Sequence, residues 1–98
     1  MGRHADALAI YDSLVGQDPD NGMTLQNRGR LHQKVGNAEA ALADWAASID
    51  VGRDRAIRAF QAHLSGNGFY DGETDGEMSD ALQQAINRCA HDPACFEN

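Results

Sequence analysis

The stretch GFYDGETDGEMSD, residues 68–80, sets Asp71, Glu73, Asp75 and Glu77 at alternate positions among glycines. Carboxylate oxygens at that spacing are the raw material of a calcium loop. Laid on a twelve-residue loop, Asp71, Glu73, Asp75 and Gly76 take positions 1, 3, 5 and 6, with Glu77 at 7 and Ser79 at 9. The twelfth position demands a bidentate glutamate and holds Leu82. The same residues suit a solvated acidic turn in which glycines supply positive φ and aspartates bond their own backbone, and this is the favoured reading of the two.

Cys89 and Cys95 flank AHDPA, a spacing open to two readings. One is a disulfide in an oxidising compartment, restricting the unfolded chain by roughly 2 kcal/mol. The other is a pair of reduced thiols in a cytosolic protein. Pro93 is expected to end the preceding helix and turn the chain back. Zinc held by Cys89, His91 and Cys95 would lack a fourth ligand and a recognised spacing. Cys89 and His91, two apart on a helix, point to different sides and make no nucleophile–base pair. His4, His32, His63 and His91 are scattered, and no glycine-rich phosphate loop follows a strand. The expectation is a non-enzyme with no cofactor and no metal.

The elements that carry these residues belong to a chain of 98 residues, 42% hydrophobic and 23% charged, which is the composition of a folded domain rather than of disorder. Fifteen acids against eight bases give a formal net charge of −7, which opposes binding to nucleic acid or to an anionic membrane. No apolar run approaches the ~20 residues that span a bilayer, and MGRHADALAI has no signal-peptide core. The reading is a soluble chain, with an export signal upstream left open.

Compared with itself, the chain shows one clear repeat, GRHADALAIYDSLVGQDPD against GNAEAALADWAASIDVGRD, at an offset of 34 residues. Gly2 matches Gly36, Ala7 matches Ala41, Leu8 matches Leu42, Tyr11 matches Trp45 and Asp20 matches Asp54. Each copy reads as a helix in which a small alanine admits a neighbour and an aromatic one turn later fills the adjoining space. Pro19 stops the first copy. Between the copies, Met23, Leu25, Leu31 and Val35 follow a loose helical pattern around Gly29, a mid-helix glycine that signals close packing. These residues resemble the tetratricopeptide repeat, a helix–turn–helix unit of this period. Leu25, Gly29, His32, Gly36, Ala41 and Trp45 fall at the family's characteristic positions in the second repeat, as do Ala7, Tyr11 and Pro19 in the first. The sequence departs from the family at Leu25, Arg28 and Arg53, which replace an aromatic, a leucine and a proline. The resemblance puts His32 at a core position. It also implies an opening helix ahead of Met1, supplied by a longer repeat protein or a partner, and hence self-association through Ala7, Leu8 and Tyr11. Gln26, Asn27, Arg30, Gln33 and Lys34 fall where the family lines its concave groove. Arg30 and Lys34, four apart, share a face able to receive a peptide carboxylate.

Beyond VGRD, the run DRAIRAFQAHL places Ile57, Phe60, Gln61 and Leu64 at helical spacing with Asp54 as its N-cap, and SGNG closes it. SDALQQAINRCA forms a fifth helix with Leu82, Ala85, Ile86 and Cys89 on one face, capped by Ser79 and favoured electrostatically by Asp80. Gln61, Leu64, Gly68, Tyr70, Gly72, Asp75, Gly76 and Ser79 together resemble the three-helix peptidoglycan-binding-like domain over residues 54 to about 90. The chain lacks the Gly-Pro pair and longer spacing that the family places after its Asp-Gly, and the family's closing Phe-Gln. The resemblance implies that Phe69 and Tyr70 offer an aromatic platform to a sugar ring while Asp71 and Asp75 bond its hydroxyls or amides. Against this stands a turn whose aromatic packs beneath it and whose aspartates only hold the backbone.

The sequence thus predicts an all-α fold: residues 1–52 as a tetratricopeptide-like hairpin repeat of three helices with a truncated first repeat, and residues 53–98 as two helices joined by a Gly/Asp-rich turn. The function expected first is a non-catalytic interaction module of a bacterial envelope protein, periplasmic rather than cytoplasmic, with the repeats binding protein or peptide and the second segment contacting peptidoglycan. The alternative is a purely protein–protein scaffold whose last two helices only cap the repeat.

Overall fold

The computed structural model describes residues 2–92 and 94–96. Five helices occupy them: α1 (Gly2–Gln17), α2 (Gly22–Lys34), α3 (Ala38–Gly52), α4 (Asp54–Gly66) and α5 (Asp80–His91). No strand occurs among the described residues, so the fold is all-α as expected.

Short polar side chains set the helix starts. Asn21 accepts from the Thr24 amide at 3.2 Å, Asn37 from the Ala40 amide at 3.2 Å and Ser79 from the Leu82 amide at 3.1 Å, each satisfying an amide the helix leaves unpaired. Gly36 lies at φ 88° in the α2–α3 turn, a region open to glycine at no steric cost. The α3–α4 junction corrects the sequence reading. Arg53, not Asp54, takes the cap, at φ 53° and without a side-chain capping bond, and Asp54 is the first residue of α4. A carboxylate there still faces the positive end of the helix. Arg53 serves both neighbours through its backbone: its N–H donates to Ile49 O at 2.7 Å and its carbonyl accepts from the Ile57 amide at 3.0 Å.

Gly29 explains how closely α2 and α3 meet. A Cβ at Gly29 would stand 2.5 Å from Trp45 Nε1 and 3.2 Å from Ala41 O, so hydrogen alone leaves room for the indole. Trp45 is fully buried and meets Phe60 of α4 edge-on, ring centroids 5.8 Å apart. Leu64, Leu82, Ala85, Ile86 and Cys89 complete one core that runs from α3 through α4 to α5. Met23 and Val35 do not join it: Met23 is 74% exposed and Val35, at the α2 C-cap, is exposed too. Their loose spacing puts them beyond the face that Leu25 and Gly29 turn to α3. His32 is half-buried, its Nε2 3.7 Å from Asp44 Oδ2.

Cys89 and Cys95 are joined as a disulfide with Cα atoms 5.3 Å apart, both buried. The helix before them ends at His91, with Asp92 at its cap; the turn expected at Pro93 falls outside the described residues. On α1, Ala7, Leu8 and Tyr11 are half-buried, whereas Ile10 is 61% exposed and Leu14 is exposed as well.

Candidate functional site

Two places gather the residues singled out above, and they are built differently. The acidic turn is organised from inside. Gln61 of α4 is 0% exposed; its Nε2 donates to Asp75 Oδ1 at 2.9 Å and to Glu77 O at 3.1 Å, and its Oε1 accepts from the Gly76 amide at 2.9 Å. One buried amide therefore satisfies three turn groups, with Gly76 at φ 77° allowing the bend. Asp75 Oδ1 also accepts from the Glu77 amide at 3.0 Å. The Gln61 hydrogen bond first, then that amide, hold the Asp75 carboxyl below its ordinary range.

Tyr70, 9% exposed, lies beneath this turn rather than on its outer face. Its hydroxyl donates to Glu73 O at 3.0 Å, and a Cβ at Gly72 would meet that hydroxyl at 2.3 Å. Phe69 is half-buried with the Arg88 guanidinium 5.4 Å from its ring centroid. Asp71 and Asp75 are exposed. The structure thus parts the four residues: Asp71 exposed, Asp75 exposed but with its Oδ1 turned to Gln61 and the Glu77 amide, Tyr70 inward and Phe69 shared with α5. Leu82, which falls at the twelfth calcium position, is fully buried in the core. Among the described residues no grouping of three or more His, Cys, Asp or Glu could hold a metal ion. The sulfurs of Cys89 and Cys95 are bonded to each other and so are not free as thiolate ligands.

The second place is a cleft of about 220 Å³ along α2. Asn27, Arg30, Leu31, Gln33 and Lys34 of α2 line it together with Tyr11 of α1 and Phe96. Four of the five expected peptide-binding residues meet here. Gln26 does not: it lines a separate groove of about 670 Å³ with Met23, Val51 and Ala56.

Each wall has a physical support. Gln33 is buried and its Nε2 donates to Cys89 O at 3.4 Å and to Asp92 O, tying α2 to the end of α5. Phe96 stacks on His63 with centroids 4.3 Å apart, tilts against Trp45 at 5.5 Å and carries the Arg30 guanidinium 4.7 Å from its ring centroid. The preceding Cys95 carbonyl accepts from His63 Nε2 at 2.9 Å and from Asn67 Nδ2.

Electrostatically the cleft stands apart from a protein of net charge −7. Among the described residues its lining contains no acid. Arg30 and Lys34 are exposed, and among the described residues neither joins an ion pair, unlike Arg28, which is held by Asp44 and Asp12. Two cations one helical turn apart, in no ion pair among the described residues and lining one cleft with the Asn27 amide and the Tyr11 and Phe96 rings, can bind an anionic group and cover an apolar one next to it.

Tyr11 and Phe96 were not read as site residues. Tyr11 carries a signal of a different kind, since its match to Trp45 assigns it to packing. Phe96 lies outside every periodic segment and is placed only by Cys95 beside it. The chain matches no protein-family model, no curated protein and no solved structure.

Proposed function

We propose that the protein is a non-catalytic interaction module whose α2 cleft receives a carboxylate-bearing segment of a protein or peptide partner. The observation that carries this reading is the pair Arg30 and Lys34, one turn apart, in no ion pair among the described residues and lining one cleft with Tyr11 and Phe96. In this reading residues 1–52 are a tetratricopeptide-like hairpin repeat, and α4 and α5 cap the face of α3 that would otherwise be open. The capping role is supported by Trp45 of α3 lying against Phe60 of α4. The turn between α4 and α5 is supported as an architectural connection because Gln61 and Tyr70 spend their polar groups inside it.

A place in a bacterial envelope remains part of the proposal, and the Cys89–Cys95 bond favours it, since disulfides persist in oxidising compartments. Contact with peptidoglycan through Phe69, Asp71 and Asp75 is the second reading, favoured by the exposure of Asp71 and Asp75. Self-association through α1 is proposed on the exposure of Ile10 and Leu14, and sedimentation across a concentration series tests it.

The deciding experiment pairs two assays on the full chain. One titrates a fluorescein-labelled hexaglutamate peptide; the other measures retention on purified peptidoglycan. Peptide binding lost in Arg30→Glu/Lys34→Glu, with no glycan retention, supports the cleft. Glycan retention that falls in a folded Asp71→Ala/Asp75→Ala variant supports the turn instead.

A further inference from the structure

The wall of the cleft at Phe96 belongs to the segment that follows α5, and that segment is fastened at few points. Cys95 is bonded to Cys89 of α5, its amide donates to Asp92 O at 3.0 Å, and its carbonyl is taken by His63 and Asn67. Phe96 adds only its ring, laid between Trp45, His63 and Arg30. Gln33, which lines the cleft, donates into the same loop at Cys89 O and Asp92 O. The disulfide and the cleft are thus one connected structure, in which, among the described residues, the S–S bond is the covalent tether of the Phe96 segment to α5 and the remaining ties are hydrogen bonds and ring contacts that local opening can break.

We infer that the Cys89–Cys95 bond is a redox latch on the α2 cleft: the oxidised protein holds Phe96 as its wall, and two-electron reduction releases that wall while the five helices stay folded. The consequence for ligand capture rests on the cleft reading above; release of the wall does not. The step is thiol–disulfide exchange with a dithiol reductant. Its thiolate attacks one cysteine sulfur, the S–S bond breaks, and a mixed disulfide forms. The reductant's second thiol resolves it, leaving a cyclic disulfide and the thiols of Cys89 and Cys95, which take up the two protons. Both sulfurs are buried, so exchange waits on opening of the terminal turn, and a ligand lodged against Phe96 slows it.

Trp45, the chain's one tryptophan, reports on the wall directly because Phe96 lies against it. Acrylamide quenching of the full chain is compared with and without dithiothreitol, with helix content followed by circular dichroism and the hexaglutamate peptide as the cleft probe. The expected result on reduction is a severalfold rise in the quenching constant with helicity kept, together with loss of probe binding. Phe96→Ala, with its disulfide intact, is expected to show the same quenching and weakened probe binding before any reductant, and no further change after it. Quenching unchanged on reduction overturns the latch, as does collapse of the helical signal. Quenching that rises while the probe binds neither state upholds the latch and removes the cleft reading; a probe bound equally in both states, with quenching unchanged, does the reverse.

Discussion

Arg28 of α2 grips Asp44 of α3 with two nitrogens, Nε 2.8 Å from Oδ2 and Nη2 2.7 Å from Oδ1, while its Nη1 reaches Asp12 of α1 at 3.0 Å. Asp44 is 5% exposed. One guanidinium therefore joins three helices and, among the described residues, is the only full positive charge paired with that buried carboxylate, with His32 further off at 3.7 Å. Arg28→Ala is expected to destabilise the fold by about 3 kcal/mol, because it strands the Asp44 charge. Arg28→Lys loses the bidentate fork and recovers only part, whereas Arg28→Leu/Asp44→Leu recovers most of the loss. Urea unfolding measures all three. The Asp44 hydrogen bond, the largest cause, raises the Arg28 proton affinity above that of a free guanidinium. A raised value means a contribution that is complete below the unfolded one, so the Arg28 contribution is fully present in neutral and mildly alkaline solution.

The turn is expected to answer to acid with the opposite sign. The Asp75 carboxyl is held below its ordinary 3.8, chiefly by Gln61. Its stabilisation is present above that value and lost as pH falls through the lower, folded one. The parent should melt above Asp75→Asn at neutral pH, and the difference should begin to shrink as pH falls below the ordinary 3.8 and close only below the lower, folded value, as seen by paired thermal melts.

Gln61→Leu keeps the volume and removes the amide. The Gly76 N–H and the Glu77 carbonyl then lose the partner they have in α4, at a cost of about 3 kcal/mol. Gln61→Glu keeps the acceptor but sets a carboxylate against Asp75. It should be worse at neutral pH than in acid. Chemical denaturation at two pH values distinguishes the pair.

Two glycine substitutions should move stability in opposite directions. Gly29→Ala drives a methyl to 2.5 Å from Trp45 Nε1, and overpacking outweighs the gain in helix propensity, leaving a net loss of about 1–2 kcal/mol. Gly16→Ala meets nothing within 4 Å and should stabilise by about 0.5 kcal/mol. Melting temperatures of the two variants give the signs.

The helices were legible because their evidence is local. Ser79 and Asp80 announce α5, Pro19 follows the end of α1, and Gly29 marks the close approach that Trp45 makes. The failures lie where partners are distant in the chain. Arg28 stood out in the sequence only as a departure from a leucine, since its match, Asp44, sits 16 residues away on another helix. Gln61 has the spacing of a core residue, and its clamp needed the positions of residues 75 to 77. The Asp54 cap was misplaced by one because Arg53 reaches φ 53°, a conformation that residue type does not advertise. In the cleft, Asn27, Arg30, Gln33 and Lys34 share a helical stripe readable from spacing, while Phe96 arrives through a disulfide loop with no period of its own.

The central claim is that the α2 cleft, not the acidic turn, takes the ligand. The most direct measurement is an amide chemical-shift titration of the oxidised protein, first with the hexaglutamate peptide and then with soluble peptidoglycan fragments. The account expects the peptide to shift Tyr11, Asn27, Arg30, Gln33, Lys34 and Phe96, and the fragments to leave residues 69–77 in place. Shifts centred on Phe69, Asp71 and Asp75 with the fragments, and none along α2 with the peptide, would contradict it.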